Sequence, residues 1–336
     1  MPLFVFHKKE DFKKAFLLFL VPLLATIVVV FCRHALLGFK FANVGAAIGH
    51  LYINHVEYAA VISIFFPLMW VAYRLSVNSK RWIRLSLFLL IILFIPVVFF
   101  SYARVAILAI AFAAIVGWAI RAKLVNYVMP VLYGLIVLTV VYLIKDRNYI
   151  NLRPDYDHTY MHSDYGNHLL STFQKRDMSS MERVYRWVAA VRMSNERPLV
   201  GFGPHAFVYN YKPYALNIFK TYVSANAEHS TTHNYFLFML TEQGWPAMLL
   251  YAILVAVVLA QAQKTYHRFK DSFYKYCTLG LAMAFASSFV NNFFSELIET
   301  HKAGALFYLT IVLLMILRQK SIEMTQQDVL NESADV

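Results

Sequence analysis

Eight long apolar runs constrain this chain more than any other feature of its sequence. A helix that crosses a bilayer needs about 20 mostly apolar residues, with a range of roughly 17 to 25. Hydrophobic residues make up 60% of the 336-residue chain and charged residues only 15%, which is too little polar surface for a soluble globule. We therefore expect a polytopic membrane protein. The predicted spans lie near residues 15–32, 56–75, 83–100, 103–121, 124–144, 235–262, 275–295 and 302–317.

The continuity of these runs decides the fold class. Backbone groups inside lipid are satisfied only in helices or closed barrels, and the strands of a barrel alternate apolar and polar residues. The runs do not alternate, so the sequence predicts an all-α polytopic bundle of about eight transmembrane helices with one large helical extracytoplasmic loop. The first run has no small-residue cleavage site and is expected to be a retained anchor.

Basic residues in the short loops orient the predicted spans. Lys and Arg near span ends favour the cytoplasm, and here they fall in alternate loops, which predicts that both termini are cytoplasmic. The orienting residues are Lys80, Arg81, Arg84, Arg121, Lys123, Lys264, Arg268, Lys270, Lys275, Arg318 and Lys320. The long loop is predicted to be extracytoplasmic despite its arginines, because loops beyond about 60 residues translocate largely regardless of charge.

These observations predict four segments. Residues 1–144 form a bundle of five spans, residues 145–232 the extracytoplasmic loop, residues 233–320 a bundle of three spans, and residues 321–336 a polar, disordered cytoplasmic tail. The net charge of +12 does not indicate nucleic-acid binding, because the charges orient spans or lie in one loop, and their expected partners are membrane lipids. The two cysteines, Cys32 and Cys277, fall within predicted spans and are expected to pack there.

A polar segment at residues 179–244 interrupts the apolar runs. Ser179 and Glu182 fit a capping box and Pro198 ends the helical pattern, so a helix is predicted over residues 179–197. One side of this helix is expected to pack against the rest of the protein, since its apolar residues recur at i, i+3, i+4 and i+7. This stripe comprises Val184, Trp187, Val188 and Val191.

Two arginines of this predicted helix, Arg183 and Arg186, lie near its N-terminal end. The helix dipole favours anions at that end and disfavours cations. Both are therefore either ordinary surface charges beside acidic neighbours or binders of an anionic ligand. Guanidinium suits phosphate because its planar fork donates paired hydrogen bonds and stays charged.

A histidine stands where the polar segment meets the next apolar helix. His233 is predicted at the start of that helix, with Thr231 and Thr232 as candidate caps and Asn234 beside it. A helix N-terminus attracts phosphate and imidazole titrates near neutrality, so His233 is either a general base or an ordinary capped histidine. Glu242 orients the junction where the chain turns into the lipid, holds a nearby arginine, or has a purely structural role.

Four motifs in this order resemble those of the O-antigen ligase and O-antigen polymerase family of bacterial envelope glycosyltransferases. They are Arg183-x-x-x-Trp187, Pro198-Leu-Val-Gly201-Phe-Gly203-Pro204, Thr231-Thr-His233-Asn234 and Glu242-x-Gly244. The resemblance implies a metal-independent inverting glycosyltransferase of the inner membrane that needs no cofactor and has its catalytic loop in the periplasm. It implies an undecaprenyl-diphosphate-linked glycan as donor. The implied acceptor is a hydroxyl of the lipid A core in a ligase, of a growing glycan in a polymerase, or of a protein.

The resemblance also implies roles for particular residues. The catalytic residues that it implies are His233, Arg183 and Arg104, and the two arginines are expected to bind the diphosphate. The expected substrate-binding residues are Arg186, Asn234, Trp187, Glu242 and Asn54. Arg104 lies at a span junction, where the alternative is that it reaches interfacial lipid phosphates. Family members usually have more spans before the first, so the chain is expected to be short at its N-terminal end.

Other functions have different sequence signatures. His158 and His162, like His229 and His233, stand four residues apart, but no third ligand is suitably spaced, so no metal site is predicted. A flippase for lipid-linked glycans would show polar residues near mid-span and repeated halves, and neither is clear here. A polar cluster at the extracytoplasmic end of the seventh span either lines the acceptor entrance or caps that helix. It comprises Asn291, Asn292, Glu296 and Glu299.

Overall fold

The computed structural model describes residues 6, 8–152, 178–216 and 230–334, and within these ranges it contains α-helices and no strand. The helices are α1 Lys9–Leu36, α2 Val44–Ile48, α3 His55–Leu75, α4 Arg81–Phe100, α5 Arg104–Arg121, α6 Val125–Ile144, α7 Met178–Ser194, α8 Ala206–Asn210, α9 Tyr235–Arg268, α10 Ser272–Phe294 and α11 His301–Ala334. Short 3-10 helices cover Phe41–Asn43, Ser76–Asn78, Lys145–Leu152, Lys212–Tyr214 and Leu297–Glu299.

Eight helices of the described ranges are long and apolar enough to cross a membrane: α1, α3, α4, α5, α6, α9, α10 and α11. The predicted all-α polytopic bundle is thereby confirmed. In the most apolar 18-residue stretch of each helix, only 17% of the residues of α4 and 6% of those of α6 are buried inside the protein. Apolar helices with so little protein around them are suited to lipid contact.

The chain folds into two compact units. The first comprises Met1–Asn126, Val257–Val290 and Thr300–Val336, and the second comprises Tyr127–Ala256 and Asn291–Glu299. These units do not follow the predicted segments, because helices far apart in sequence pack together. The first unit, for example, takes helices from both predicted bundles.

Small residues let the helices of the first unit approach closely. α3 packs on both α4 and α5, and Ala106 and Ala109 of α5 are fully buried. A Cβ on Gly117 of α5 would lie 2.7 Å from the Met283 sulfur of α10. Close packing through small side chains contributes to helix association in lipid, where no hydrophobic driving force acts between helices.

The C-terminal end differs from the prediction. α11 continues to Ala334, so the expected disordered tail is corrected over residues 321–334. These residues include no glycine or proline, and several are strong helix formers, so nothing in the sequence ends the helix. Lys270 Nζ also lies 2.9 Å from the Asp328 carboxylate, an ion pair between exposed side chains that links the extension to the loop between α9 and α10.

The second unit holds most of α6, all of α7 and α8, α9 as far as Ala256, and the turn at Leu297–Glu299. Its core is small and aromatic, and the rings of Phe207 and Tyr211 stack with centroids 4.9 Å apart. α9 is broken at Gly244, which has φ 81° and ψ −177°. The break lies where the sequence predicted a turn into the lipid.

Candidate active site

The buried face of α7 is rotated from the predicted one. It consists of Tyr185, Ala189, Ala190 and Met193, packed against Phe207 and Tyr211. The residues of the predicted stripe are only partly buried. A tyrosine and two alanines give a weak apolar signal in sequence, but alanines admit aromatic rings at close range in a dense core. As a result, Trp187 faces away from this core and toward the segment Thr231–Asn234, which contains His233.

Trp187 joins α7 to the chain before α9. Its indole Nε1–H donates to the Thr232 carbonyl oxygen at 3.1 Å. Its ring meets Phe293 edge-on, with centroids 6.3 Å apart and an interplanar angle of 73°. A partly buried indole that satisfies its N–H in this way fixes the distance between the two segments.

Arg186 is an internal cation rather than a surface charge. It is 4% exposed, and its Nε donates to the Glu182 carbonyl oxygen at 2.9 Å. Nη1 donates to the Ser230 hydroxyl, and Nη2 lies 3.6 Å from the Glu182 carboxylate. Burial lowers the pKa of Arg186 and the Glu182 charge opposes that shift. The group remains cationic near neutral pH, because arginine in proteins is not deprotonated there.

Arg183 lies three residues before Arg186 and is partly buried. Residues three apart on a helix share a face, so α7 presents two guanidinium groups on one side. The side chains of the first residues of α7, including Ser179 of the predicted capping box, lie outside the described residues.

Glu296 holds the segment that carries the histidine. Its carboxylate accepts hydrogen bonds from the hydroxyls of Thr231 and Thr232 and from the backbone N–H groups of His233 and Asn234. Burial raises the pKa of Glu296, while these donors favour its charged form. The sequence left Glu296 either at an acceptor entrance or as a helix cap. In the structure its carboxylate is the acceptor for four hydrogen-bond donors of the segment Thr231–Asn234.

The turn that carries Glu296 is itself fixed. Asn292 Oδ1 accepts from the Ile298 N–H at 2.9 Å, and the Tyr235 hydroxyl donates to Glu299 Oε1 at 3.2 Å. Two members of the polar cluster thus brace the turn rather than a helix end.

His233 precedes α9 instead of forming its first turn. The N-cap is Asn234, whose Oδ1 accepts from the Leu237 N–H at 3.1 Å, so the expectation that Thr231 or Thr232 caps the helix is corrected. His233 has a left-handed backbone with φ 49°. Non-glycine residues in this region are uncommon and cluster at functional sites, where surrounding contacts hold them.

The environment of His233 keeps its imidazole neutral. Burial, followed by the charges of Arg186 and Arg183, lowers the pKa of His233 to about 3. Imidazole without such surroundings titrates near 6.5. The shift also indicates that both guanidinium groups are close enough to act electrostatically on the ring. The site therefore combines a histidine whose neutral form is favoured with the fixed cation of Arg186 and the partly buried cation of Arg183.

Two glycines let the loop after α7 pack against the break in α9. A Cβ on Gly201 would overlap the backbone of Glu242, and one on Gly244 would lie 2.5 Å from the Leu199 carbonyl carbon. The Gly203 N–H donates to the Glu242 carbonyl at 3.0 Å. Gly201 and Gly244 are therefore required by backbone contact.

Glu242 is 3% exposed, and its Oε2 accepts from the His205 N–H at 2.7 Å. The carboxylate thus anchors the start of α8 to α9. This arrangement agrees with the structural alternative that the sequence left open for Glu242.

Two predicted site residues belong to the first unit. Asn54 caps α3, with its Oδ1 accepting from the Glu57 N–H at 2.9 Å. Arg104 is the first residue of α5 and is partly buried. The second unit contains the other six: Arg183, Arg186, Trp187, His233, Asn234 and Glu242. The roles that the resemblance implies for Arg104 and Asn54 stay predictions.

Metal ligation has no candidate among the described residues, because no three His, Cys, Asp or Glu side chains are grouped there. His158, His162 and His229, which the sequence placed in possible metal-binding pairs, lie outside the described residues.

Comparison with known protein families gives a match to a family model described as O-antigen ligase, over residues 47–252. The matched range is more than half of the chain. It contains the two arginines of α7 and His233, whereas Glu296 lies beyond its end. A comparison with curated proteins gave no significant match.

Proposed function

Since the chain belongs to the O-antigen ligase family, we propose that it transfers a glycan from undecaprenyl diphosphate to a hydroxyl of the lipid A core. Membership indicates a membrane glycosyltransferase of the ligase or polymerase type. The choice of donor, acceptor and ligase activity is the proposal. So are its placement in the inner membrane and the assignment of the site to the periplasmic side. The supporting observation is that His233 stands immediately before the capped helix α9, where burial and the charges of Arg186 and Arg183 lower the pKa of its imidazole.

The arginines are assigned to the diphosphate. Arg183 is partly buried and so retains a surface from which to bind the donor, while the buried Arg186 supplies a charge fixed by Glu182 and Ser230. Negative charge builds on the diphosphate as its bond to the sugar breaks. Preorganised cations in a partly dehydrated site stabilise this charge without reorganising during the reaction. They supply the charge stabilisation for which other transferases use a divalent cation, so the proposed reaction needs no metal.

His233 is assigned as the general base. The acceptor hydroxyl oxygen forms a bond to the anomeric carbon while the bond from that carbon to the diphosphate oxygen breaks. The electron pair of the broken bond leaves with undecaprenyl diphosphate, and the hydroxyl proton passes to the imidazole. Attack opposite the leaving group inverts the anomeric centre. An imidazole can accept this proton only when it is neutral, which is the state that its surroundings favour.

Glu296 is assigned as a positioning residue for the base. It accepts hydrogen bonds from the backbone N–H groups of His233 and Asn234. Because it binds both N–H groups, it supports the left-handed backbone that places the imidazole. A shift of about 1 Å in a catalytic group can cost on the order of 100-fold in rate.

The test is glycan transfer by the purified protein in lipid vesicles. Undecaprenyl-diphosphate-linked glycan is the donor, and lipid A core and free glycan are offered as separate acceptors, each with and without EDTA. His233→Gln is expected to lower transfer by about 100-fold or more, the usual contribution of a general base. His205→Gln is the matched control, because His205 also has a left-handed backbone, with φ 59°, and its side chain is exposed.

Each outcome has a separate meaning. Transfer to lipid A core that survives EDTA and requires His233 supports the proposal. Transfer to free glycan alone overturns the ligase assignment in favour of a polymerase. Loss of transfer in EDTA, restored by a divalent cation, overturns metal independence, and full activity of His233→Gln overturns the assignment of the base.

A further inference from the structure

Large apolar side chains are exposed on the turn that follows α7. Leu199 is 71% exposed and Val200 is 75% exposed. The proposed reaction gives them no role, and the glycines beside them already account for the backbone path of the turn. Apolar side chains grouped on a surface mark contact with a protein, a ligand or a membrane.

The turn is fixed to the start of the membrane-crossing part of α9. The Trp245 N–H donates to the Pro198 carbonyl oxygen at 2.8 Å. Gly244 approaches Leu199 so closely that a Cβ could not be accommodated. Two backbone contacts therefore hold Leu199 and Val200 next to Trp245. They are the hydrogen bond from Trp245 to Pro198 and the close approach of Gly244 to Leu199.

The exposed apolar surface continues from this turn along α9. Trp245 is 45% exposed, and the residues that follow it on the helix present further apolar side chains at the surface. These are Leu249, Leu250 and Ile253. Tryptophan is enriched at the level of lipid head groups, where its ring lies between the apolar and aqueous regions. The turn thus adjoins the surface by which α9 meets lipid.

A cation borders the same patch. Arg197 is exposed and immediately precedes Pro198, and its guanidinium lies 4.9 Å from the centroid of the Phe202 ring. A basic side chain beside an apolar tip matches the phosphate layer that overlies lipid chains. Charge and polarity therefore favour a lipid surface over a protein partner as the occupant of the patch.

We propose that Leu199 and Val200 insert into the extracytoplasmic leaflet of the membrane, with Arg197 at the level of the lipid phosphates. The three residues form a rigid lip on the second unit. Insertion itself does not depend on the proposed transfer reaction, but the choice of leaflet rests on the proposed periplasmic side of the site. One consequence depends on that reaction: the lip would hold the arginines of α7 at the membrane surface, where the diphosphate of a lipid-linked donor lies.

Site-directed spin labelling tests the insertion. Cys32 and Cys277 are free and are replaced by alanine, and a nitroxide is attached at Val200→Cys in protein reconstituted in phosphatidylethanolamine and phosphatidylglycerol vesicles. Collisions of the label with oxygen and with a water-soluble nickel chelate give its depth. Leu249→Cys is the control on the lipid-facing helix, and Asn195→Cys, an exposed polar site after α7, is the aqueous control.

The label at Val200 is expected about 5 to 10 Å below the phosphates, the depth of interfacial apolar side chains, with oxygen collisions like those at Leu249. Nickel collisions like those at Asn195 would overturn the proposal, as would protection from both reagents, which would indicate a protein partner or a second copy. The measurement uses neither donor nor acceptor. A failure of insertion is therefore distinguishable from a failure of the proposed transfer reaction.

Discussion

Lowering the pH from 7 to 5 is expected to leave kcat/KM for glycan transfer almost unchanged. Burial and the charges of Arg186 and Arg183 lower the pKa of His233 to about 3, and kcat/KM reports groups of the free enzyme. A histidine with the ordinary pKa of about 6.5 is about 76% neutral at pH 7 and about 3% neutral at pH 5. Such a base would lose about 25-fold in kcat/KM over this range, whereas the change expected for His233 is below about twofold.

Two measurements separate the base from its neighbours. The first is the initial rate at low donor concentration in vesicles from pH 5 to 8. The second is acylation of His233 by diethylpyrocarbonate, quantified by peptide mass spectrometry with N-acetylhistidine as a reference in the same solution. Only neutral imidazole reacts. The second measurement is needed because burial raises the pKa of Glu296, and protonation of that carboxylate would alter the rate without protonating the imidazole.

An acid limb near pH 6.5 in both measurements would refute the reasoning. An acid limb in the rate alone would point to Glu296.

The lowered pKa of His233 also determines how this site affects stability as the pH changes. Because the folded-state pKa of His233 lies below the unfolded value, the unfolded state binds more protons at intermediate pH. The contribution of this site to stability is complete above about pH 6.5 and is lost as the pH falls toward 3.

Three further sets of substitutions test the contacts that support the site. In Glu296→Gln, buried N–H donors face an amide NH2 group, and each donor left without an acceptor costs about 1 to 3 kcal/mol. We therefore expect kcat to fall on the order of 100-fold with the donor KM unchanged. Glu296→Asp should recover part of the lost kcat, and an equal loss in both variants would contradict a role for the carboxylate charge. Gly201→Ala and Gly244→Ala should each lower the free energy of unfolding by about 2 to 5 kcal/mol through backbone overlap and strain. Gly203→Ala should lower it by only about 1 to 2 kcal/mol, because a Cβ there meets open space. Thermal unfolding in detergent measures the three losses, and equal losses would refute this ranking. Trp187→Phe keeps a ring but loses the bond to the carbonyl before His233, so kcat should fall on the order of 10-fold, and a changed donor KM alone would contradict its positioning role.

The spans were predictable because lipid imposes a simple requirement. Every backbone group must be satisfied within a helix of sufficient length, so long apolar runs identify the elements directly. The predicted run at residues 103–121 corresponds to Arg104–Arg121 and that at 124–144 to Val125–Ile144. The break at Gly244 was also visible, because glycine and proline close together interrupt an apolar run there. The family was predictable from the order of its polar motifs.

The internal arrangement of the site was less predictable, and the reasons differ from residue to residue. The buried face of α7 depends on alanines whose value lies in the aromatic rings opposite them, which no pattern within the helix reveals. Asn234 and the threonines before it are equally suitable caps by residue type, and only the backbone at His233 decides between them. Glu296 binds backbone N–H groups, which every residue except proline possesses, so no side-chain pattern around His233 points to it.

The two arginines of α7 act on His233 in a way that couples the base to the donor. In the empty site their charges help to keep the imidazole neutral, but they also make it a weak base. A diphosphate linked at both ends carries two negative charges, which offset two guanidinium charges. Donor binding should therefore raise the pKa of His233 toward its ordinary range and make it a better proton acceptor for the acceptor hydroxyl. Since kcat reports the donor-bound enzyme and kcat/KM the free enzyme, the acid limb of kcat should lie at higher pH than that of kcat/KM. Coincident limbs would mean that the arginines and the histidine do not share one site with the diphosphate.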